Sequence, residues 1–278
     1  METTELDLMV SKDQISFDFE AIEEESSILP NTLIKVLNHD YIANEVLYVV
    51  AKVKGEEICP HFNELNLSGK TMLEWTLMAG NDCEQKIIDE GDEIARLKQI
   101  ETDKPIIALF FSDTPLFDKK SFQEIIDYFS QRGMNYLRLN RGLIIKTSYL
   151  SRVCGELVGD VAYECKNLFR VDDAKKINLV NSILQEKILA YHKKNGVIML
   201  GDNVYIEADC EIEKGTVVYP NNTILGQSVI ESGSILESGN VVKDSIVCKN
   251  VTLKGCYIEK SKITSSPEPL SKIINQKV

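Results

Sequence analysis

The sequence contains no long apolar segment and no basic N-terminal start. A transmembrane helix needs about 18 or more consecutive apolar residues, and the chain has no such run. The first ten residues, METTELDLMV, lack the positive charge and the apolar core of a signal peptide. We therefore expect a cytoplasmic protein without a membrane partner.

Positive charge is also scarce. Lys and Arg number 31 against 43 Asp and Glu, which gives a formal net charge of −12 and a pI near 4.9. A field of this sign repels phosphate backbones and anionic lipids, so we expect no nucleic-acid partner. The contents of apolar residues, 44%, and charged residues, 27%, are typical of a soluble globular protein.

Neither cysteine nor histidine forms a catalytic or metal-binding pattern. The 7 cysteines contain no CxxC pair, and their odd number argues against a closed disulfide framework, so we predict free, buried thiols. The 3 histidines are His39, His61 and His192. We predict His192, which precedes two lysines, to be a cation at the surface or at a helix end.

A regular apolar repeat lies near the end of the sequence. From residue 200 a β-branched or aliphatic side chain recurs every six residues, which neither an α-helix nor a flat strand explains. This period is typical of a triangular parallel β-helix, in which each short strand sends one apolar side chain inward. The spacing then shortens. The positions are Leu200, Ile206, Ile212, Val218, Ile224, Ile230, Leu236 and Val242, followed by Val247, Leu253, Ile258 and Ile263.

The repeat has a helix before it and a tail after it. Residues 172–191 have apolar side chains at a spacing of three and four, and Asp172 and Asp173 stand where a helix N-terminus favours negative charge. This pattern predicts a connecting helix. Residues 264–278 open on Ser-Ser-Pro-Glu-Pro and lose the period, so we predict an irregular cap or a short terminal helix there.

The first half of the chain has an alternating α/β pattern. The apolar run 105–112, PIIALFFS, predicts a buried parallel strand, and 121–129 predicts the helix after it. Alternating strands and helices indicate a small, doubly wound, Rossmann-like sheet. Residues 1–45 form an acidic extension. The other predicted strands are Val46–Val53 and Tyr136–Lys146, and the other predicted helices are Met72–Ala79 and Glu84–Ile100.

Several motifs resemble those of the bifunctional N-acetylglucosamine-1-phosphate uridylyltransferase and glucosamine-1-phosphate acetyltransferase, GlmU. The junction from Val171-Asp172-Asp173 to Asn195-Gly196-Val197 has the spacing of the family's V-N-[ND] helix and N-G-V turn. Residues 68–74, SGKTMLE, resemble A-G-K-P-M-[LV]-E, and residues 112–116, SDTPL, resemble G-D-[TVG]-P-L. Asn140-Arg141-Gly142 resembles N-T-G.

The resemblance implies a domain order and a fold. It implies a nucleotidyltransferase-like α/β domain followed by a left-handed parallel β-helix of hexapeptide repeats. The predicted boundaries are an acidic extension at 1–45, a reduced nucleotidyltransferase-like domain at 46–170, a connecting helix at 171–195, the β-helix at 196–264 and a cap or tail at 265–278.

The resemblance also implies site residues. In the family, the positions that match Asp113 and Asp172 bind the Mg²⁺ that bridges the nucleotide phosphates, and a second carboxylate in place of an amide could still ligate Mg²⁺. Alternatively, Asp113 starts a turn and Asp172 caps a helix. The residues that we predict to contact a nucleotide or nucleotide-sugar are Lys52, Lys54, Gly55, Lys70, Asn140 and Gly142.

The chain departs from the family at the nucleotide loop. The family's L-A-A-G-x-G-T-R-M loop lets its backbone approach phosphates, whereas Gly55 is the only glycine before Gly69 here and no arginine precedes Arg96. Phe62 stands where the family has a lysine. Glu56 and Glu57 would repel a triphosphate. We also expect no acetyl transfer, because no histidine lies in the repeat and the coils are few.

Two hypotheses for the function remain. The first is a catalytically degenerate homologue, a pseudoenzyme, that acts as an oligomeric scaffold or binding protein. The alternative is an active minimal uridylyltransferase that makes UDP-N-acetylglucosamine from UTP and the sugar 1-phosphate, with Mg²⁺ as its cofactor. The resemblance implies a homotrimer packed through the β-helix. We predict that Val217, Val229, Ile235 and Val241 supply its apolar contacts.

Overall fold

The first half of the chain folds around one mixed, Rossmann-like sheet, as predicted. A computed structural model describes residues 42, 44–154, 157 and 163–278; the predicted extension at 1–45 lies almost entirely outside the described residues. The strand order is β4-β1-β5-β7-β6, in which β4, β1 and β5 are parallel, β7 is antiparallel to β5, and β6 is antiparallel to β7. The strands are β1 (Val46–Lys52), β4 (Glu84–Asp89), β5 (Ile106–Phe111), β6 (Tyr136–Leu139) and β7 (Gly142–Lys146).

The centre of this sheet is apolar on both faces. All residues of β5 and all but the last of β1 are buried, which is why both segments have continuous apolar sequences rather than alternating ones. The remaining elements flank the sheet. They are the antiparallel pair β2 (Asn66–Leu67) and β3 (Lys70–Thr71), a 3-10 turn (Phe62–Glu64), and the helices α1 (Met72–Met78), α2 (Glu93–Lys98), α3 (Lys119–Gln131) and α4 (Thr147–Leu150).

Two elements of the first half differ from their prediction. Residues 84–100, predicted as one helix, form β4 and α2, because Gly91 and the N-cap Asp92 break the segment and Asp92 accepts a hydrogen bond from the Ala95 N–H. Residues 136–146, predicted as one strand, form the hairpin β6 and β7 around Asn140 and Arg141. In both places a turn interrupts an apolar pattern that continues across it.

The predicted connecting helix is α5 (Ala174–Lys194). Asp173 is its N-cap and accepts a hydrogen bond from the Lys176 N–H. Its buried face, which includes Val180, Leu184 and Ile188, belongs to the same apolar core as the β-helix. His192 lies in the last turn of α5, at a helix end as predicted, but it is not a surface cation: its side chain is buried, and this burial lowers its pKa to about 4.

The second half is a left-handed parallel β-helix, as predicted. Its short strands stack into three parallel sheets, with the orders β10-β13-β16-β19, β17-β14-β11-β8 and β20-β18-β15-β12-β9. The strands are β8 (Ile198–Met199), β9 (Tyr205–Ile206), β10 (Glu211–Ile212), β11 (Val217–Val218), β12 (Thr223–Leu225), β13 (Val229–Ile230), β14 (Ile235–Leu236), β15 (Val241–Lys243), β16 (Ile246–Val247), β17 (Thr252–Leu253), β18 (Tyr257–Glu259), β19 (Lys262–Ile263) and β20 (Lys272–Ile274).

The apolar repeat points inward from Ile206 onward. Every predicted inward position from Ile206 to Ile263 is buried. The first position was wrong: Leu200 is 43% exposed, and Met199 lies in register with the inward Val218. The prediction for the tail was wrong as well, because β20 pairs with β18 in parallel and extends the coil.

Polar side chains form ladders at the corners of the β-helix. The Asn222 Oδ1 accepts hydrogen bonds from the backbone N–H and the side-chain amide of Asn240, whose own Oδ1 accepts from the Cys256 N–H. At another corner the Ser245 Oγ accepts from the Ser261 N–H. These buried ladders provide hydrogen-bond acceptors for backbone N–H groups at the corners, where the chain turns and strand pairing stops.

The cysteines are all free, and their burial varies. Cys83, Cys210 and Cys256 are buried, as predicted, and burial raises the pKa of Cys83 and Cys210 to about 12, which keeps their thiols protonated. Cys154 is exposed, so the prediction of buried thiols was wrong there.

Candidate functional site

All the predicted site residues except Lys70 gather at the carboxyl edge of the mixed sheet. Parallel strands bring their carboxyl ends to one edge, where open α/β folds bind ligands. Lys52 is the last residue of β1 at this edge, Lys54 and Gly55 follow it, and Asp113 follows β5. The turn between β6 and β7 and the approach to α5 reach the same place, since the Val171 N–H donates to the Asp113 carbonyl over 2.8 Å.

Asp113 is the most deeply buried acid at this edge, and two arginines bind its carboxylate. The side chain of Asp113 is 1% exposed. Arg141 donates from Nε to Oδ1 over 2.9 Å and from Nη2 to Oδ2 over 2.7 Å, a bidentate geometry. The Arg170 Nε lies 3.3 Å from Oδ2. The guanidinium of Arg141 also stacks over the Phe111 ring, 3.8 Å from its centroid.

Asp172 has its own basic partner. The Lys176 ammonium, one helical turn later, donates to its carboxylate and lowers the pKa of that group. Asp172 is exposed, unlike Asp113, and the neighbouring Asp173 caps α5. The fold therefore brings the backbones of the two predicted metal ligands together, while each carboxylate is paired with a basic side chain.

This arrangement does not fit a divalent cation. Mg²⁺ takes oxygen ligands in near-octahedral geometry, so it needs lone pairs that no other cation uses. Both oxygens of Asp113 accept hydrogen bonds from Arg141 instead. Among the described residues, moreover, there is no group of three or more His, Cys, Asp or Glu side chains that could hold a metal ion.

Gly55 has a packing role in the loop after β1. A Cβ at this position would lie 2.3 Å from the Phe62 ring, and Phe62 is buried. The absent side chain therefore makes room for an aromatic ring rather than for a phosphate. The ring stands at the position where the resemblance implies a lysine.

The backbone beside Gly55 is held by side chains of the protein. The Ser112 Oγ accepts from the Val53 N–H over 3.0 Å and donates to the Asn63 Oδ1 over 2.8 Å, and the Asn63 amide donates back to the Val53 carbonyl. The Lys54 N–H donates to the Glu90 carboxylate over 2.9 Å. These amide groups already have acceptors, whereas a phosphate-binding loop presents its N–H groups to the ligand.

Lys70 lies away from this edge, at the contact with the β-helix. Its ammonium pairs with Asp209 in the first coil. The preceding Ser68 accepts a hydrogen bond from the Ala208 N–H at its carbonyl, and its hydroxyl donates to Asn181 of α5. The segment 68–74, in which the sequence predicts a binding lysine, thus joins the two halves of the chain.

Asn140 and Gly142 have structural contacts in the β6–β7 turn. The Asn140 amide donates to the carbonyls of Cys165 and Leu168, and its Oδ1 accepts from the Cys165 N–H. Gly142 lies so close to β5 that a Cβ would stand 2.7 Å from the Leu109 carbonyl oxygen. Together they fix the turn that contains Arg141.

Sequence reasoning missed four residues of this site: Arg141, Arg170, Ser112 and Asn63. Three of them are adjacent to residues that it did identify, because Ser112 precedes Asp113, Arg141 follows Asn140 and Arg170 precedes the Val171-Asp172-Asp173 motif. An arginine in place of the family's threonine in N-T-G was the available signal for a changed charge at the site.

Comparison with known proteins places part of the chain beside GlmU. Over 154 residues it is 31% identical to the bifunctional protein GlmU of Clostridium acetobutylicum, a match that covers 53% of this chain and 32% of the relative. The GlmU of Clostridium novyi is 31% identical over 107 residues, with coverages of 38% and 24%. That of Streptococcus agalactiae is 27% identical over 183 residues, with coverages of 63% and 38%.

Other comparisons add little. No family model matches the chain. The crystal structure of Rv0371c from Mycobacterium tuberculosis is similar at a TM-score of 0.31 and 12% identity, covering 50% of this chain and 82% of that one. Among the described helices none is long and apolar enough to cross a membrane.

The chain spans only 24% to 38% of the length of the three GlmU relatives described above. Over the matched parts it is similar to GlmU at 27% to 31% identity, which supports a GlmU-like family relationship.

Proposed function

We propose that this chain is a GlmU-like homologue that does not turn over nucleotide and acts as an oligomeric scaffold or binding protein. The observation that supports this most directly is the state of Asp113, whose buried carboxylate is bound by Arg141 in bidentate geometry and approached by Arg170. A carboxylate used in this way is a structural link between β5, the β6–β7 turn and the approach to α5.

The loop after β1 supports the same proposal. Phosphoryl transfer depends on donors and cations that are already aimed at the phosphate oxygens. Here Phe62 fills the space beside Gly55, and the amides of Val53 and Lys54 already have side-chain acceptors. Lys52 and Lys54 are exposed, but Glu56 and Glu57 are exposed beside them, so the loop offers a triphosphate no net attraction.

One outer face of the β-helix supports the scaffold role. Along the sheet β17-β14-β11-β8, the outward residues Ile198, Val217 and Ile235 stand in register on neighbouring strands. Ile198 is 49% exposed and Ile235 is 37% exposed. Leu200 and Tyr219 follow the same strands and are also exposed. An apolar stripe of this kind typically marks a protein contact.

We propose that this face forms the contact of a homotrimer. Of the residues predicted for the interface, Val217 and Ile235 lie on it, whereas Val229 and Val241 each lie on another face. In a cyclic trimer each subunit gives one surface to one neighbour and a second surface to the other, so the apolar face would pack against a different face of the next copy.

The alternative is a minimal uridylyltransferase that makes UDP-N-acetylglucosamine from UTP and the sugar 1-phosphate. One observation favours it: the hydrogen bond between the Val171 N–H and the Asp113 carbonyl brings Asp113 and Asp172 to one place, as the resemblance implies. A nucleotide or nucleotide-sugar is the ligand expected under this alternative.

A turnover assay separates the two. We expect the purified protein, given UTP, N-acetylglucosamine 1-phosphate and Mg²⁺, to release no pyrophosphate above a no-protein control, and to transfer no acetyl group from acetyl-CoA. Turnover that is lost in Asp113→Asn but kept in Asp202→Asn, an exposed aspartate of the β-helix, would establish the enzyme and overturn the proposal.

A further inference from the structure

We infer that Arg141 prevents divalent cations from binding at Asp113, because its guanidinium is hydrogen-bonded to the carboxylate oxygens that a metal ion would need. Replacement of Arg141 by threonine should therefore allow Mn²⁺ or Mg²⁺ to bind there. The inference goes beyond the proposed function and does not depend on it, because a metal-independent enzyme would also satisfy it.

The position of Arg141 is fixed by the fold. It stands in the β6–β7 turn, where Gly142 approaches the Leu109 carbonyl so closely that only glycine fits. Asn140 anchors the same turn to Cys165 and Leu168. Stacking of the guanidinium on Phe111 holds it against the end of β5. The hydrogen bonds to Asp113 therefore require little ordering of the arginine side chain.

The hydrogen bonds and the charge of Arg141 oppose the binding of a metal ion to Asp113. Its Nε lies 2.9 Å from Oδ1 and 3.1 Å from Oδ2 of Asp113, and its Nη2 lies 2.7 Å from Oδ2. A divalent cation bound to either oxygen would sit next to a positive charge in a buried place, where such repulsion is weakly screened.

Removal of the guanidinium leaves a ligand set that suits Mg²⁺ or Mn²⁺. Asp113 would keep one basic neighbour, Arg170, whose side chain is 54% exposed and whose contact is longer at 3.3 Å. Asp172 follows the residue that is hydrogen-bonded to the Asp113 backbone. Magnesium is typically held by one or two carboxylates with water in the remaining positions, so the Asp113 carboxylate can serve as its ligand once Arg141 is removed.

The local charge supports a stepwise experiment. Asp113 and Asp172 face Arg141, Arg170 and Lys176, so these five groups sum to +1. Arg141→Thr brings the sum to 0, and adding Arg170→Thr brings it to −1. Divalent-cation affinity should therefore increase at each step. The second substitution concerns a half-exposed side chain, which makes it the milder change for folding.

The experiment is titration with Mn²⁺ followed by electron paramagnetic resonance, on the wild type, Arg141→Thr and Arg141→Thr/Arg170→Thr. In the wild type we expect no Mn²⁺ binding that depends on Asp113, so Asp113→Asn should leave its Mn²⁺ titration unchanged. We expect Arg141→Thr to bind at least about tenfold more tightly than the wild type, and the double variant more tightly again, because each step removes one opposing charge. In both variants Asp113→Asn should abolish the gain.

Arg132→Thr is the matched control, because Arg132 contacts Tyr128 rather than an acid of the site; it should bind Mn²⁺ as the wild type does. Asp113-dependent binding of Mn²⁺ to the wild type overturns the inference even if Arg141→Thr does not fold. A folded Arg141→Thr/Arg170→Thr variant, checked by circular dichroism, that binds Mn²⁺ no better than the wild type overturns it as well.

Discussion

Removing the guanidinium of Arg141 leaves the buried carboxylate of Asp113 with one remaining basic partner, Arg170. Arg141→Met keeps an apolar stem over Phe111 but removes the hydrogen bonds to Asp113, which is 1% exposed. Breaking a buried pair by removing one partner typically costs about 3–5 kcal/mol, since the other charge stays desolvated. Arg170 is half exposed at 3.3 Å and compensates in part, so we expect a loss of about 3 kcal/mol.

Urea denaturation followed by circular dichroism measures this loss. Adding Asp113→Asn to Arg141→Met should restore part of the stability, because the neutral amide is less costly to bury than an unpaired carboxylate. The control Arg132→Met loses only a surface contact with Tyr128 and should cost no more than about 1 kcal/mol. A loss of less than about 1 kcal/mol in Arg141→Met would show that Asp113 does not depend on Arg141 as its buried ionic partner.

Three further predictions concern other parts of the fold. Burial lowers the pKa of His192 to about 4, below the unfolded value of about 6.5. The stability that the neutral imidazole contributes is therefore present above pH 6.5, and the free energy of unfolding should fall by about 3 kcal/mol between pH 6.5 and 4. In urea titrations His192→Leu should flatten this pH dependence, whereas His61→Gln, at an exposed position, should not. Gly55→Ala should lower stability by about 1–3 kcal/mol because its Cβ meets Phe62, and a Gly55→Ala/Phe62→Leu variant that recovers nothing would contradict this packing. Light scattering should give three times 31.3 kDa, and Ile235→Glu should yield monomers; a wild-type monomer at all concentrations would exclude the trimer.

The β-helix could be predicted from the sequence because its pattern is local. Each coil repeats the same short period, so Ile206 and the later positions identify the inward side without knowledge of distant contacts. Leu200 was misplaced because the first coil starts from the turn after α5, where the period has no preceding coil to define it. The tail was missed because β20 pairs with β18 after a loop that contains no repeat.

The sheet was harder to predict in detail. The apolar positions from residue 84 to 100 are spaced as in a helix, and only Gly91 and Asp92 mark the boundary between β4 and α2. A turn signal of this length is easily outweighed by a longer apolar pattern. The central strands β1 and β5 were found because burial on both faces gives them unbroken apolar sequences.

The positions of the candidate site could be predicted, but the contacts of its side chains could not. Asp113 and Asp172 were identified from motifs, and the fold brings their backbones together. The partner of Asp113, Arg141, lies 28 residues away in the sequence and reaches it only through the hairpin. Lys70 shows the same limit, since its contact with Asp209 depends on the packing of two halves of the chain.

The carboxyl edge of the sheet, closed by its own side chains, should not accept a metal–nucleotide complex. Thermal unfolding with saturating UTP and Mg²⁺ tests it most directly. A ligand at about 100 times its dissociation constant adds about 2.7 kcal/mol to the stability of the folded form, which is a rise of about 5 °C or more for a chain of this size. We predict an unchanged melting temperature, and a rise of that size that Asp113→Asn abolishes would contradict the closed edge.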